Sequence, residues 1–311
     1  MTLRRGRVLV LGAGGFIGAP LCRALQAAGW ETIGYGRGPR PETLPSGVEW
    51  RRGEFADDAA LTAALDGCSL IYHLIGAASP SVSATDDIVG AVLPTLTLLD
   101  RAVAAGVRRL VYVSSGGAVY GVRHEMPIGE DAPAEPISAY GINKLAIEKY
   151  LHLFHYRHGL DYCALRVANP FGEGQTTRRQ QGVVAAFCAA AVADEPLVIW
   201  GDGKAVRDYV YIDDVVDALL RAGEADSLTH RILNIGGGVG RSVSEVAAAV
   251  ERAAGRILPR EFRPARPVDV PAVVLDIRRA AETLGWTPRT PWETALRRTL
   301  DWRRRTLFIE T

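Results

Sequence analysis

The sequence predicts an α/β protein: a Rossmann-type, doubly wound parallel sheet followed by a smaller C-terminal substrate-binding lobe. Three observations carry that prediction. Continuous apolar runs bounded by turn residues recur along the chain, amphipathic helical patterns separate them, and a glycine-rich turn joins the first run to the first helix. Strands that are apolar throughout, rather than at alternate positions, are buried on both faces, which requires helices on both sides of a parallel sheet.

The first strand is "RVLVLG" (7–12), followed by "GAGGFIG" and the helical pattern "APLCRALQAAG" (19–29). Gly12, Gly15 and Gly18 follow a G-x-x-G-x-x-G spacing, with Phe16 and Ile17 at the start of the helix. Glycines are needed where the backbone turns tightly and lets a pyrophosphate approach the helix N-terminus. An ordinary glycine-rich turn is the bland alternative. The position between strand and helix favours a dinucleotide site formed by these five residues. The second strand, "ETIGY" (31–35), ends in "IGYGRGPR". An acid at this point hydrogen-bonds the ribose 2′-hydroxyl of NAD, whereas an arginine suits the 2′-phosphate of NADP. Gly36 stands where the acid is expected and Arg37 follows, so the cofactor is NAD or NADP with a lean to the latter. Glu54, in "RRGEF", is placed to face the adenine.

"LTAALDG" (61–67), "SLIYHLI" (69–75), "LLDRAVAAGV" (98–107), "RLVYVSS" (109–115), "DYCALRV" (161–167) and "RILNIG" (231–236) continue the alternation of helix and strand. After residue 170 loops rich in Gly, Pro, Arg and Asp appear with short helices between them. The expected division is 1–168 with 210–240 as the dinucleotide-binding domain. Residues 169–209 with 241–311 then form the smaller lobe, closing over the carboxyl ends of the strands. Helix 242–254 opens with Ser242 and Glu245, a capping box without chemical function.

Charge and composition narrow the function classes. With 36 basic and 35 acidic residues the net charge is +1, which gives no general attraction to nucleic acid or anionic membrane. "WRRRT" (302–306) reads as a solvated helix end, and the apolar run "GVVAAFCAAAVA" (182–193) is too short to span a bilayer. No charged n-region leads into an apolar segment at the start, so no secretory leader is expected. Cys22, Cys68, Cys163 and Cys188 are scattered without metal-ligand spacing, the pattern of buried thiols in a cytoplasmic protein that holds no metal.

"AYGINKLAIEKY" (139–150) carries the chemistry. Tyr140 and Lys144 are four apart and share one helix face, with Glu148 a turn further on. A free tyrosine has a pKa of ~10 and is a poor base at neutral pH; a neighbouring ammonium lowers the cost of the phenolate. Tyr140 can then take a proton from a sugar hydroxyl as hydride leaves its carbon, or return it.

At this point the chain resembles the extended short-chain dehydrogenase/reductase family, in particular the nucleotide-sugar 4-epimerases of the UDP-galactose epimerase type. The resemblance rests on "GAGGFIG", "YHLIGAA" (72–78), "SSGGAVYG" (114–121), Tyr140 with Lys144, "LRVANPFG" (165–172), "VRDYVYIDDV" (206–215), "NIGGG" (234–238) and "RPVDV" (266–270) with Asp276, and it covers nearly the whole chain. It implies that Tyr140 is the acid/base and that Lys144 also orients the cofactor ribose. It implies a Ser or Thr hydroxyl at the position of Gly116, beside the substrate; Ser115 is the nearest replacement donor. Ala91 stands where the family carries an Asn. Arg207 and Arg266 match residues that grip a diphosphate, Asp269 one on the nucleotide ribose, and Asn169 one that reaches diphosphate or sugar. Val273 stands where a bulky Tyr often limits room beside the sugar's C2, so this chain is expected to tolerate an N-acetyl group. A homodimer through helices 86–106 and 139–156 is also implied.

The expected reaction is 4-epimerisation of a UDP-hexose or UDP-N-acetylhexosamine, by transient oxidation at C4, rotation of the keto sugar and hydride return. Gly36 with Arg37 favours a rival, an NADPH-dependent 4-ketoreductase. A 4,6-dehydratase needs an acid pair that "SSGGAVYG" lacks, and a dinucleotide-binding regulator has no need of Tyr140 with Lys144.

Overall fold

The computed structural model describes residues 5–76, 85, 88–176, 182–265 and 270–307. In chain order the first half contains β1 (Arg7–Leu11), α1 (Gly18–Ala27), β2 (Glu31–Gly36), β3 (Glu49–Arg52), α2 (Asp58–Leu65) and β4 (Cys68–His73). A π-helical turn (Ile88–Val92) then leads into α3 (Leu93–Ala104), followed by β5 (Arg109–Ser115), α4 (Ala139–His158) and β6 (Asp161–Val167). Beyond these lie β7 (Asn169–Phe171), α5 (Val183–Ala193), β8 (Leu197–Trp200), β9 (Val206–Tyr211), α6 (Ile212–Glu224), β10 (Ile232–Ile235) and β11 (Gly240–Ser242). The chain ends with α7 (Val243–Ala254), β12 (Arg260–Arg263), β13 (Ala272–Val273), α8 (Arg278–Leu284) and α9 (Trp292–Leu307).

Seven strands form one sheet in the order β3-β2-β1-β4-β5-β6-β10, every neighbouring pair parallel. Strand order reverses between β1 and β4, so the crevice at their carboxyl ends is the ligand-binding switch point of a doubly wound sheet. The period-2 geometry of a strand explains the unbroken apolar runs. Val8 and Val10 face a core shared with Leu21, Leu25, Val215 and Leu219 of α1 and α6. Leu9 and Leu11 face a second core with Leu61, Leu98 and Ile147 of α2, α3 and α4.

The strand β3, "EWRR", is absent from the sequence reading. It is an edge strand whose polar residues are tied by Arg7, which donates to Glu31 (2.7 Å) and Glu49 (2.9 Å). Edge strands need no continuous apolar run, so the pattern that revealed the others is missing here.

A smaller sheet has β9 at its centre, with β7 and β13 parallel to it and β11 antiparallel. Strands β8 and β12 form a separate parallel pair. Their common core holds Phe187, Leu197, Ile199, Val246, Val250 and Leu296. The junction is pinned by Asp214, whose carboxylate accepts the Arg289 (3.0 Å) and Thr290 (3.2 Å) N–H groups while its carbonyl accepts the buried Trp286 indole (3.0 Å). The expected capping box is present: Glu245 N–H donates to Ser242 Oγ and Ser242 N–H to Glu245 Oε2. All four cysteines are buried and unpaired. Among the described residues no helix is long and apolar enough to cross a membrane.

Candidate active site

The glycine turn is tight and packs directly against the start of α1. Gly12 has φ +82°, and the Gly15 N–H turns back to the Gly12 carbonyl (3.0 Å). A Cβ on Gly18 would lie 2.2 Å from that carbonyl oxygen, so helix and turn close up only with glycine there. Helix α1 has no side-chain N-cap and no acid in its first turn. Its positive dipole end thus faces the mouth of the crevice, a fit for a dinucleotide pyrophosphate. Phe16 and Ile17 carry the turn against the core of the smaller lobe.

At the end of β2 the structure gives a reason for Gly36. A Cβ there would meet the Trp50 ring at 2.8 Å, and one on Gly34 would meet the same ring at 3.2 Å. The indole lies across both glycines and donates to the Gly38 carbonyl (3.2 Å). Arg37 is exposed beyond it. Glu54 also exposes its side chain, and its carbonyl accepts the Tyr35 hydroxyl (2.8 Å).

Tyr140 and Lys144 sit where the crevice meets β5. Ser138 caps α4 by accepting the Gly141 N–H (3.1 Å). A Cβ on Gly141 would lie 2.4 Å from the Ala118 carbonyl oxygen, so the first turn of α4 is pressed against the turn leaving β5. Tyr140 is half-buried. Lys144 is buried, its Nζ donating to the Val113 carbonyl (2.7 Å), 4.6 Å above the Tyr112 ring and 5.7 Å from the centre of the Tyr140 ring. A Cβ on Gly76 would approach that Nζ to 3.1 Å, so the end of β4 comes close to it as well.

Behind the pair lies a buried polar network that the sequence reading did not assemble. Glu148 accepts from Ser114 Oγ and from Arg166 through Nη2 (2.7 Å) and Nε (3.1 Å). Burial pulls the Arg166 guanidinium down, but the hydrogen bonds and charge of Glu148 outweigh it and the net shift is upward. Arg166 also lies over the Tyr120 ring, whose hydroxyl donates to Asn234 (2.7 Å). An arginine inside the apolar run "DYCALRV" was the available signal, since a buried cation requires a buried acid. Ser114 is therefore committed to Glu148, whereas Ser115 is half-buried and Gly116 buried.

In the smaller lobe, Asn169 and Arg207 line a cavity of about 200 Å³ with Phe171, Val183, Trp200 and Tyr209. Asn169 donates to the Asp208 carbonyl (2.9 Å). Arg266 and Asp269, and most of "TTRRQQG", lie outside the described residues. Val273 packs into the core at 2% exposure, its backbone in register with Arg207. Ala91 lies in the π-helical turn, and its carbonyl accepts Thr95 Oγ1 (2.6 Å).

Two buried groups flank the site with opposite acid responses. Asp208 accepts N–H groups from Gly237 (2.6 Å), Leu275 (3.1 Å) and Gly238 (3.3 Å), yet burial outweighs these bonds and pushes it up to about 6. His73 is pushed down to about 3 by burial and, secondarily, by Lys144. Thr95 spends its hydrogen on Ala91, so His73 Nε2 carries the proton in their 2.9 Å contact. Asp208 is raised above its ordinary 3.8, so its contribution to stability is full below that value and lost as the pH rises through 6. His73 is lowered from 6.5, so its contribution is full above 6.5 and lost as the pH falls towards 3. The His73 window is the wider, and of the two it dominates. A His73→Gln variant, which keeps a donor for Thr95, is expected to lose less stability than the native protein between pH 7 and pH 5. Urea midpoints at the two pH values measure this; equal losses would remove His73 from the acid response.

The NAD dependent epimerase/dehydratase family model matches residues 8–236. The UDP-glucose 4-epimerase of Mycolicibacterium smegmatis is 37% identical over 310 residues, covering 95% of this chain and 97% of that protein. The crystal structure of Thermotoga maritima UDP-glucose 4-epimerase with UDP-glucose superimposes with a TM-score of 0.93 at 33% identity, covering 97% of this chain and 99% of that one. The Thermus thermophilus UDP-glucose 4-epimerase in complex with NAD gives 0.89 at 33% identity, covering 96% and 99%. With the family model spanning the sheet, the glycine turn and the Tyr140–Lys144 helix together, this chain belongs to the NAD-dependent epimerase/dehydratase family.

Proposed function

We propose that the protein is an NAD(P)-dependent UDP-sugar 4-epimerase. The observation that carries this reading is the placement of Tyr140 beside Lys144, with Lys144 fixed by Val113 at the carboxyl ends of β4 and β5. Gly12, Gly15, Phe16, Ile17 and Gly18 hold the dinucleotide pyrophosphate at the start of α1. The bound dinucleotide supplies the acceptor and donor of hydride. Tyr140 takes the proton of the C4 hydroxyl and returns it, and Lys144 places a positive charge beside the phenolic ring throughout. Ser115 offers the second hydrogen bond to the reacting oxygen. Asn169, Arg207 and Arg266 bind the diphosphate and Asp269 the nucleotide ribose, which leaves the sugar at the crevice. Residues 1–168 with 210–240 form the dinucleotide-binding part; 169–209 with 241–311 form the nucleotide-sugar-binding part.

The direct test is incubation with UDP-glucose, UDP-galactose and UDP-N-acetylglucosamine without added cofactor, following C4 epimers by NMR. Mass spectrometry of the dinucleotide released on denaturation accompanies it. Epimers formed with near-stoichiometric NAD support the reading. A protein that is empty and consumes NADPH on 4-keto sugars would establish the second reading, a 4-ketoreductase. The Trp50 ring over Gly36, with Arg37 beyond it, favours that alternative.

Val273→Tyr is expected to reduce turnover of N-acetylated relative to plain UDP-sugars, because the resemblance puts this position beside the sugar's C2 and the buried site has no room to keep the larger ring. Comparing kcat/KM for the two substrates measures it, and an unchanged ratio would take Val273 out of specificity. The protein acts as a cytoplasmic homodimer in this reading. The apolar side chains of Ile88, Val89, Leu93 and Ile142, exposed on the π-helical turn, α3 and α4, support pairing through those helices. Light scattering that gives the mass of one chain would refute the dimer.

A further inference from the structure

The volume beside Gly116 is filled from the far end of the chain. A Cβ on Gly116 would lie 2.4 Å from Leu275 Cδ1, 3.2 Å from its Cδ2 and 3.0 Å from the Arg166 carbonyl oxygen. Leu275 is fully buried and held on both sides. Its N–H donates to Asp208 Oδ2 (3.1 Å). Its neighbours grip residue 128, Ile128 donating to the Val274 carbonyl (2.8 Å) and Asp276 to the Ile128 carbonyl (2.9 Å). Held in this way, the leucine methyls have little room to withdraw, and the Arg166 carbonyl belongs to a central strand that does not move at all cheaply. A side chain at 116 is therefore opposed by packing and enters only if Leu275 shifts.

The same region decides which hydroxyl remains. Ser114 is turned to Glu148 in the interior. The Ser115 carbonyl accepts the Val119 N–H (3.2 Å) and the Ala118 N–H (3.4 Å), so the chain begins to turn at Ser115 and the turn it starts is the one against α4. Ser115 is the half-buried hydroxyl at the mouth of β5. We propose that Leu275 is a positioning residue, which by occupying the space beside Gly116 transfers the hydroxyl role at the end of β5 to Ser115. The chemical half of this inference rests on the epimerase reading; the packing half does not.

The test is a set of variants read by Tm and by steady-state epimerase kinetics. Gly116→Ser alone lowers Tm and kcat, and adding Leu275→Ala restores part of both, because the leucine no longer competes for the space. Ser115→Ala in the native background lowers kcat roughly 100-fold with KM for the UDP-sugar little changed, and Ser115→Thr recovers most of it. In the Gly116→Ser/Leu275→Ala background, Ser115→Ala costs far less, because a second hydroxyl now stands in the vacated volume. A Gly116→Ser variant with native Tm overturns the packing half. An undiminished Ser115→Ala penalty in the double background overturns the transfer. Should the hydroxylated variants fail to fold, Gly116→Ala with and without Leu275→Ala gives the same Tm coupling. If the native protein turns over no UDP-sugar, the epimerase reading falls, and that coupling alone decides the interlock.

Discussion

Replacing Tyr140 with Phe is expected to lower kcat for C4 epimerisation by about 10³-fold, the usual worth of a positioned general acid/base. The ring keeps its place, because Ser138 caps the helix, Gly141 packs against Ala118, and Lys144 remains bonded to Val113. Only the phenolic oxygen is lost. The dinucleotide released on denaturation and KM for the UDP-sugar should therefore stay near native values, which separates lost proton transfer from lost binding. A Tyr140→Phe enzyme within tenfold of native kcat would mean that another group moves the proton.

The second large effect is on stability. Arg166→Met is expected to cost about 3–5 kcal/mol, because it strands the Glu148 carboxylate in the interior without its cation. Glu148 and Arg166 are 2% and 4% exposed, so water cannot compensate. The corresponding fall in Tm is on the order of 10 °C. Changing both residues, Glu148→Leu with Arg166→Met, should recover most of the loss, since apolar residues of similar volume replace a buried ion pair at little net cost. A single variant as stable as the native protein would show that Glu148 is neutral or reached by solvent. The single variant should also lose activity at 25 °C beyond what unfolding explains. Ser114, Glu148 and Lys144 join α4 to β5 on consecutive helical turns, and that joint sets where Tyr140 stands.

Much of this was legible from the chain because the requirements are local. The strands buried on both faces announce themselves as apolar runs, the tight turn before α1 as three spaced glycines, and the proposed catalytic pair as a tyrosine and lysine one helical turn apart. The edge strand β3 was not legible, since its residues are polar and its partners, Arg7 and Glu31, come from other strands. Two glycines were seen as absences, of an acid at 36 and of a hydroxyl at 116, and what fills each place is distant in sequence. Trp50 covers the first and Leu275 the second. Such pairings are set by the crossing of elements, which no periodicity records. The commitment of Ser114 rather than Ser115 to Glu148 was hidden for the same reason: alternate strand residues face opposite layers, and only the position of α4 decides which layer holds the acid.

The Trp50 ring over Gly34 and Gly36 also bears on how this chain is altered, by drift or by design. An aspartate at 36 cannot be introduced alone, because its Cβ begins 2.8 Å from the indole. The residue at 50 must shrink first, and that step removes the hydrogen bond to Gly38 and part of the floor under β2 before any new contact to a ribose is gained. The route to 2′-hydroxyl recognition by an acid at 36 therefore passes through a less stable intermediate, and the order in which positions 50 and 36 are changed decides whether that route is open.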